Sequence, residues 1–287
     1  RYAPPPVSPN TLTIGVSQSG ETADTLAALR MEKERRNSIK DPNFTFHQLG
    51  ITNRLDSSLA RELENVIDIG SGIEIGVAAT KTFLGQMLSF YGLTLLVASH
   101  KQKRSTKEIQ DLSNDLRLVP KQLLDLIKKH DALSKGIAHL FAETKDVIFL
   151  GRGINYPIAL EGALKLKEIS YIHAQGYPAG ELKHGPIALL DKHVPVISIA
   201  VPGVVYEKVL SNSQEAKTRD ALLIGVTPPN RPESEMFDEL FSIPKVSEWV
   251  SPLLTVVPLQ LFSYHIAAHK GLDVDQPRNL AKSVTVE

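Results

Sequence analysis

The 287-residue sequence has no cysteine, which excludes disulfides, thiolate metal sites and cysteine nucleophiles. That absence is compatible with a cytoplasmic protein. Net charge is absent too: Lys plus Arg and Asp plus Glu number 32 each. The balance argues against nucleic acid or an anionic membrane as the main partner, while leaving room for a local basic pocket. No apolar run reaches the roughly 18 residues needed to span a bilayer. The opening Arg1-Tyr-Ala-Pro-Pro-Pro-Val7 lacks the apolar core of a signal peptide and reads as an irregular connector into a strand. Beyond that short proline run there is no low-complexity segment. The first residue is Arg rather than Met, which points to a piece of a longer chain.

What is present suits a soluble globular protein of one large or two medium domains, with 42% hydrophobic and 22% charged residues. Thr11–Val16 is a β-branched apolar run that predicts a buried strand, and Ala23–Arg30 reads as a helix. Further strands are predicted at Phe44–Thr52 and Asn65–Ile69, then helices from about Gly76 to His100 and over Glu108–Lys129. The last of these reads as a bridge between two halves. In the second half Asp146–Leu150 predicts a strand and Tyr156–Tyr171 a helix. Strands at Val194–Val201, Ala221–Val226 and Leu240–Ile243 and a helix over Pro252–Lys270 follow.

Alternation of this kind predicts an α/β fold of mostly parallel sheets flanked by helices. Both halves open with strand, polar loop and helix, so the chain reads as two tandem doubly wound subdomains. Residues 1–130 form the first with its bridging helix, 131–272 the second, and 273–287 a tail; the boundary is expected near 131–145.

Ser17-Gln-Ser-Gly-Glu-Thr22 lies at the carboxyl end of a predicted strand and the start of a helix, where α/β sheets bind ligands. Unpaired helix N–H groups, the hydroxyls of Ser17, Ser19 and Thr22, and the close approach allowed by Gly20 suit a phosphate without a metal. A serine-rich helix cap serving only the helix is the competing reading. The loop lacks the Gly-Lys-Ser/Thr ending of a P-loop. Gly151-Arg-Gly153 lacks the third glycine of a dinucleotide fingerprint and reads as a tight turn.

Glu161, Lys165 and Glu168 recur at i, i+4 and i+7, one face of a helix. Solvated Glu–Lys pairing is the plain account; catalytic acid–base work is the alternative. Residues 173–186 form a glycine-rich stretch read as a loop too long for a connector. It carries His173 and His184, and the latter sits in Glu-Leu-Lys-His-Gly-Pro as a candidate proton carrier. The histidines lack zinc-ligand spacing. The tail ends Lys-Ser-Val-Thr-Val-Glu, too rich in β-branched residues for a disordered terminus. A folded tail would fix Lys282, whose amine can attack a sugar carbonyl.

Together, Ser17–Thr22, Glu74–Ala78, Ala159–Ala174, Gly180–Pro186 and Asp275–Glu287 resemble the glucosamine-6-phosphate synthase family, and the first motif alone resembles the wider sugar-isomerase (SIS) domain superfamily. The resemblance implies two SIS subdomains forming one fructose 6-phosphate site. In it Ser17, Gln18, Ser19 and Thr22 hold the phosphate, and Glu168 moves a proton between C1 and C2. Lys282 forms an imine with the open-chain ketose. His184 opens the ring, reaching in from a neighbouring subunit of a homodimer. Glu161 and Lys165 match supporting positions, and Val77 and Ala281 match backbone neighbours of the sugar.

No metal or organic cofactor is implied. The family's N-terminal glutaminase domain and the first strand and helix of its first subdomain have no counterpart here, and Ala79 stands where many relatives have serine. Ammonia-dependent synthesis or bare isomerisation is therefore the activity expected of this chain. A non-catalytic sugar-phosphate sensor and a simple hexose-phosphate isomerase are the alternatives.

Overall fold

The computed structural model describes residues 8–41, 44–229 and 232–282. The chain divides into two compact units, Arg1–Arg104 with Asn279–Glu287, and Ser105–Arg278. The N-terminal connector and the closing Ser-Val-Thr-Val read from the sequence lie outside the described residues.

In the first unit, β1 (Thr11–Ser17), β2 (Phe46–Thr52) and β3 (Asn65–Asp68) form a parallel sheet in that order. The register pairs Ser17 with Thr52 and Thr52 with Asp68, so the carboxyl ends of the strands finish in line. Helix α1 (Ala23–Asn37), the short α2 (Ser58–Glu62) and the residue after it bury Leu26, Leu29, Leu59 and Leu63 as a small core, with Val66 of β3 packed against it. Helix α1 runs a further two turns beyond the apolar pattern. Its polar extension is helix-prone, and the buried Arg36 there pairs with Glu32.

Helix α3 starts at Lys81, not near Gly76, and ends at His100. Residues 70–80 are instead an irregular loop. With only Lys81 charged at the start and His100 at the end, α3 is long and apolar enough to cross a membrane by length and composition, and only 6% of it is buried. Counting unbroken apolar residues missed this, because Thr, Gln and Ser interrupt the run without lowering its mean hydropathy enough. A second such stretch, Glu248–His269, is 78% buried within the other unit, as a core helix is.

The second unit begins at α4 (Thr106–Ile137), where Ser105 and Glu108 cap each other: the Ser105 hydroxyl accepts from Glu108 N at 3.2 Å and the Glu108 carboxylate from Ser105 N at 2.9 Å. Val119, Leu126, His130 and Ile137 recur at helical spacing and are buried as α4 packs against α7 (Ser251–His269). The unit boundary therefore falls at 104/105 rather than near 131–145. Helix α4 is amphipathic and buries its apolar face within the second unit.

The strands β4 (Asp146–Gly151), β5 (His173–Pro178), β6 (Val196–Ile199), β7 (Leu223–Thr227) and β8 (Glu239–Ser242) form a parallel sheet ordered β5-β4-β6-β7-β8. Continuous burial of β6 and β7 follows from cover on both faces by α5 (Tyr156–Ser170), α6 (Tyr206–Lys217) and α7. Phe141, Phe241 and Phe262 stack edge to face, at 4.8 Å for Phe141–Phe262 and 5.8 Å for Phe241–Phe262. Each such fully buried ring is worth roughly 1.5–3 kcal/mol.

Strand β5 corrects the reading of residues 173–186 as one loop. Its first part is an edge strand, and His173 lies on it, its ring bonded to Asp146 at 2.8 Å on the surface. Short 3-10 turns at Ala179–His184 and Pro186–Leu189 follow. An edge strand with Gly and Pro in it carries little apolar alternation, so periodicity does not reveal it.

Candidate functional site

In the first unit, the hydroxyl loop leaves the end of β1 and enters α1. Ser17 Oγ lies 2.8 Å from Thr22 Oγ1 and accepts from Gly20 N at 3.0 Å, while Ser19 Oγ accepts from Glu21 N at 3.1 Å. Thr22 stands at the N-cap of α1 but makes no side-chain capping bond there. Its hydroxyl faces Ser17 instead, which weakens the reading of the loop as a cap serving only the helix. Gly20 has φ +68°, and a Cβ there would lie 2.0 Å from Ser57 Oγ. Only glycine fits that approach.

The loop is tied to the end of β2, where Asn53 N donates to Gln18 O at 3.1 Å, and to α2, where Leu59 N donates to Gly20 O at 3.0 Å. The Asn53 side chain also donates to Gly72 O at 2.7 Å and accepts from Ser71 N at 2.9 Å. Asn53 thus joins the hydroxyl loop to the 70–80 loop along one sheet edge. That second loop holds Glu74 and the half-buried Val77. Lys282 docks on it, donating to Gly76 O at 2.6 Å and to Glu74 Oε2 at 3.3 Å. Ala281, beside it, is exposed.

In the second unit, order reverses about β4, whose neighbours are β5 and β6. The carboxyl end of β4 is therefore a switch point of the kind that forms a ligand crevice. The chain turns there through Gly151-Arg-Gly153 into α5. A Cβ on Gly151 would meet Asn155 O at 2.3 Å, so the turn closes tightly. On α5, Lys165 is 4% exposed. Its Nζ lies 2.6 Å from Glu168 Oε2 and 3.5 Å from Glu161 Oε1. The face read as possible solvated pairing is thus a buried amine between two carboxylates.

A buried charge cluster needs every partner it has. Burial pushes the Glu161 carboxyl up to about 7, with the Glu168 charge adding to the rise and the Lys165 ammonium opposing it. His184 is exposed at the end of its 3-10 turn, before Gly185 at φ 142°.

The SIS-domain family model matches residues 2–96 and 140–270, a segment in each half. The chain belongs to the SIS-domain family. Among solved structures, the C-terminal domain of glucosamine-fructose-6-phosphate aminotransferase from Francisella tularensis superposes with a TM-score of 0.87 at 38% identity, over 96% of this chain and 75% of that one. Glucosamine-6-phosphate deaminase from Thermotoga maritima gives 0.71 at 25% identity, over 98% and 77%. The glutamine–fructose-6-phosphate aminotransferase (isomerizing) of Nostoc sp. is 63% identical over the whole chain, and that of Aquifex aeolicus 47%. The chain spans about half the length of these curated relatives, 46% of each.

Two SIS-edge residues escaped the sequence reading. Asn53 follows β2 in an unremarkable Thr-Asn-Arg stretch and has no local signal. Glu74 lay inside a recognised motif, but nothing in the linear pattern shows that its carboxylate is buried.

The raised Glu161 acid has a consequence for stability. The folded SIS unit holds a proton that the unfolded chain, with its carboxyl near 4.5, releases. The stabilisation is therefore complete below about pH 4.5 and is lost as pH rises through about 7. Between these limits wild type is expected to lose up to about 3 kcal/mol relative to Glu161→Gln, read by urea unfolding of both proteins at pH 5 and pH 8.

Proposed function

We propose that the chain is the isomerase part of a glucosamine-6-phosphate synthase, converting fructose 6-phosphate and ammonia to glucosamine 6-phosphate. The observation that carries this reading is the docking of the Lys282 amine on the same sheet edge as the Ser17–Thr22 hydroxyl loop. Anchoring a phosphate through hydroxyls and helix N–H groups needs no cation, and a primary amine nearby gives the sugar carbonyl a nucleophile.

In the mechanism, Ser17, Gln18, Ser19 and Thr22 hold the phosphate, with the backbone at Val77 and Ala281 against the sugar. His184, from a second subunit of a homodimer, assists ring opening. The Lys282 amine attacks C2 of the open ketose and water leaves, giving an imine. Ammonia adds at C2 of this imine and the Lys282 amine leaves, so the sugar carries the new nitrogen as a C2 imine. Glu168 takes a proton from C1 and returns one at C2 while the C1 hydroxyl gives up its proton to become the aldehyde, which completes glucosamine 6-phosphate. Lys165 holds Glu168 in place, with Glu161 close to the same amine. Ammonia is thus the source of the amino nitrogen. In a longer protein resembling the relatives, a glutaminase domain would release it from glutamine.

A sugar-phosphate sensor would use the hydroxyl loop but has no use for a buried Lys165 flanked by carboxylates together with a docked Lys282. Incubation with fructose 6-phosphate and ammonium separates the readings. Glucosamine 6-phosphate, measured by mass spectrometry, is the expected product. Glucose 6-phosphate alone would indicate a simple isomerase, and binding without turnover a sensor; either result overturns the proposal.

A further inference from the structure

Lysine is a poor choice for a fixed nucleophile unless something holds it, because its four-carbon stem carries nearly the largest rotamer entropy of any side chain. Lys282 lies in a segment without regular structure, and its side chain is 27% exposed. The backbone alone therefore does not aim its amine. Two acceptors do: the carbonyl of Gly76 and the carboxylate of Glu74.

Glu74 is unusual among the acidic side chains of its unit. Its side chain is 5% exposed, and it is satisfied by the first turn of α3. Oε1 accepts from Thr80 N at 2.9 Å, from Thr80 Oγ1 at 3.3 Å and from Thr82 N at 3.3 Å. Oε2 accepts from the hydroxyl of the fully buried Thr82 and from Lys282 Nζ. Burial alone would raise the carboxyl, but the hydrogen bonds from Thr82 and Thr80, with the Lys282 charge, outweigh it and hold the group below the usual carboxylate range. It therefore stays ionised. One oxygen is committed to the amino end of a 20-residue helix and the other reaches the amine, so the amine is referred to a rigid element rather than to a flexible loop.

We propose that Glu74 is the positioning residue of Lys282, fixing its amine against the amino end of α3. The inference rests on the reading of Lys282 as the imine-forming group. Glu74 acts through Lys282 and through the loop that carries Gly76; it makes no contact of its own with reacting atoms. Hydrogen bonding of its two oxygens explains why the site needs Glu rather than a neutral amide: Gln at that position keeps one acceptor for the α3 amides but loses the charge that draws the ammonium.

The test uses the full chain with Glu74→Gln and Glu74→Asp. In the first arm Lys282 is acetylated with limiting acetic anhydride, without substrate, and followed by peptide mass spectrometry against the exposed Lys101. Acetylation of Lys282 is expected to rise about fivefold in Glu74→Gln and less in Glu74→Asp, which restores the charge one methylene short. In the second arm the imine with fructose 6-phosphate is trapped with borohydride. Its rate at saturation is expected to fall about tenfold in Glu74→Gln, with the half-saturating concentration unchanged because the hydroxyl loop is intact.

Equal acetylation of Lys282 in wild type and Glu74→Gln overturns the positioning role. So does a trapping loss matched by a rise in half-saturating concentration, which marks collapse of the loops. Should Glu74→Gln not fold, the same two comparisons in Glu74→Asp decide the question at smaller amplitude. Absence of a Lys282 adduct in wild type refutes the imine reading alone, and the acetylation arm then still decides the placement.

Discussion

Lys282→Ala is expected to leave no borohydride-trappable sugar adduct and to lower glucosamine 6-phosphate formation by more than about a thousandfold. The variant removes the only atom of that side chain able to attack a carbonyl, and among the described residues the partners of its amine are a carbonyl and a carboxylate. Neither is a nucleophile toward a ketone under these conditions. Binding should survive, because the phosphate loop is separately fixed through Asn53, Leu59 and the Ser17–Thr22 hydroxyl pair.

Calorimetric titration with fructose 6-phosphate should therefore give an unchanged affinity beside the lost turnover. Stability should change by about 1 kcal/mol or less, since the side chain is partly exposed and Glu74 keeps its other donors. Lys282→Arg provides the control: it retains charge and length but no free amine, and should be equally inactive. An adduct persisting in Lys282→Ala would sink the assignment.

Glu168→Gln should lower kcat by about 10²- to 10⁴-fold, the usual worth of a positioned general base, with little change in KM. Loss of hydrogen exchange from C1 of the substrate into heavy water would show that proton transfer, rather than imine formation, is the step removed. The trapped adduct on Lys282 should still form. The cluster adds a second signature. Lys165 Nζ lies 2.6 Å from Glu168 and 3.5 Å from Glu161, and the Glu168 charge helps hold Glu161 up at about 7. Without that charge the Glu161 carboxyl should fall, moving its ionisation to lower pH. Carboxyl resonances followed by NMR across pH 4 to 8 measure the shift; an unmoved Glu161 would show that the two carboxylates do not communicate.

Much of this was readable in the sequence because it depends on local periodicity. Thr11–Val16 and Asp146–Leu150 are apolar runs that read as strands, and the strand–loop–helix openings follow from composition alone. The burial expected of Thr11–Val16 was wrong: β1 lies at the edge of its sheet, with Leu12 exposed and only Gly15 and Ser17 buried, because cover depends on neighbouring elements and not on the run itself. The hydroxyl loop was legible because a strand end, a glycine and small hydroxyl residues coincide within six positions. Strand β5 was not legible, since an edge strand containing His173, Gly176 and Pro178 has little burial to enforce alternation. The start of α3 was misjudged because Glu74–Ala79 is apolar enough to read as helix, whereas its fate is set by where the Glu74 carboxylate finds donors.

The sequence by itself determined most of the element types, the parallel α/β class and the chemical inventory: hydroxyls, carboxylates, imidazole and amine, with no thiol. These depend on residue identity and on spacings of a few residues. Tertiary structure alone decided which of those groups are charged, buried and held. Whether Glu161-Lys165-Glu168 is a solvated face or a buried cluster is a question of what packs over α5. Whether Lys282 is a loose terminal side chain or a docked amine depends on Glu74 and Gly76, more than two hundred residues away along the chain. Burial and long-range pairing set the electrostatic cost of each charge, and no local pattern encodes them.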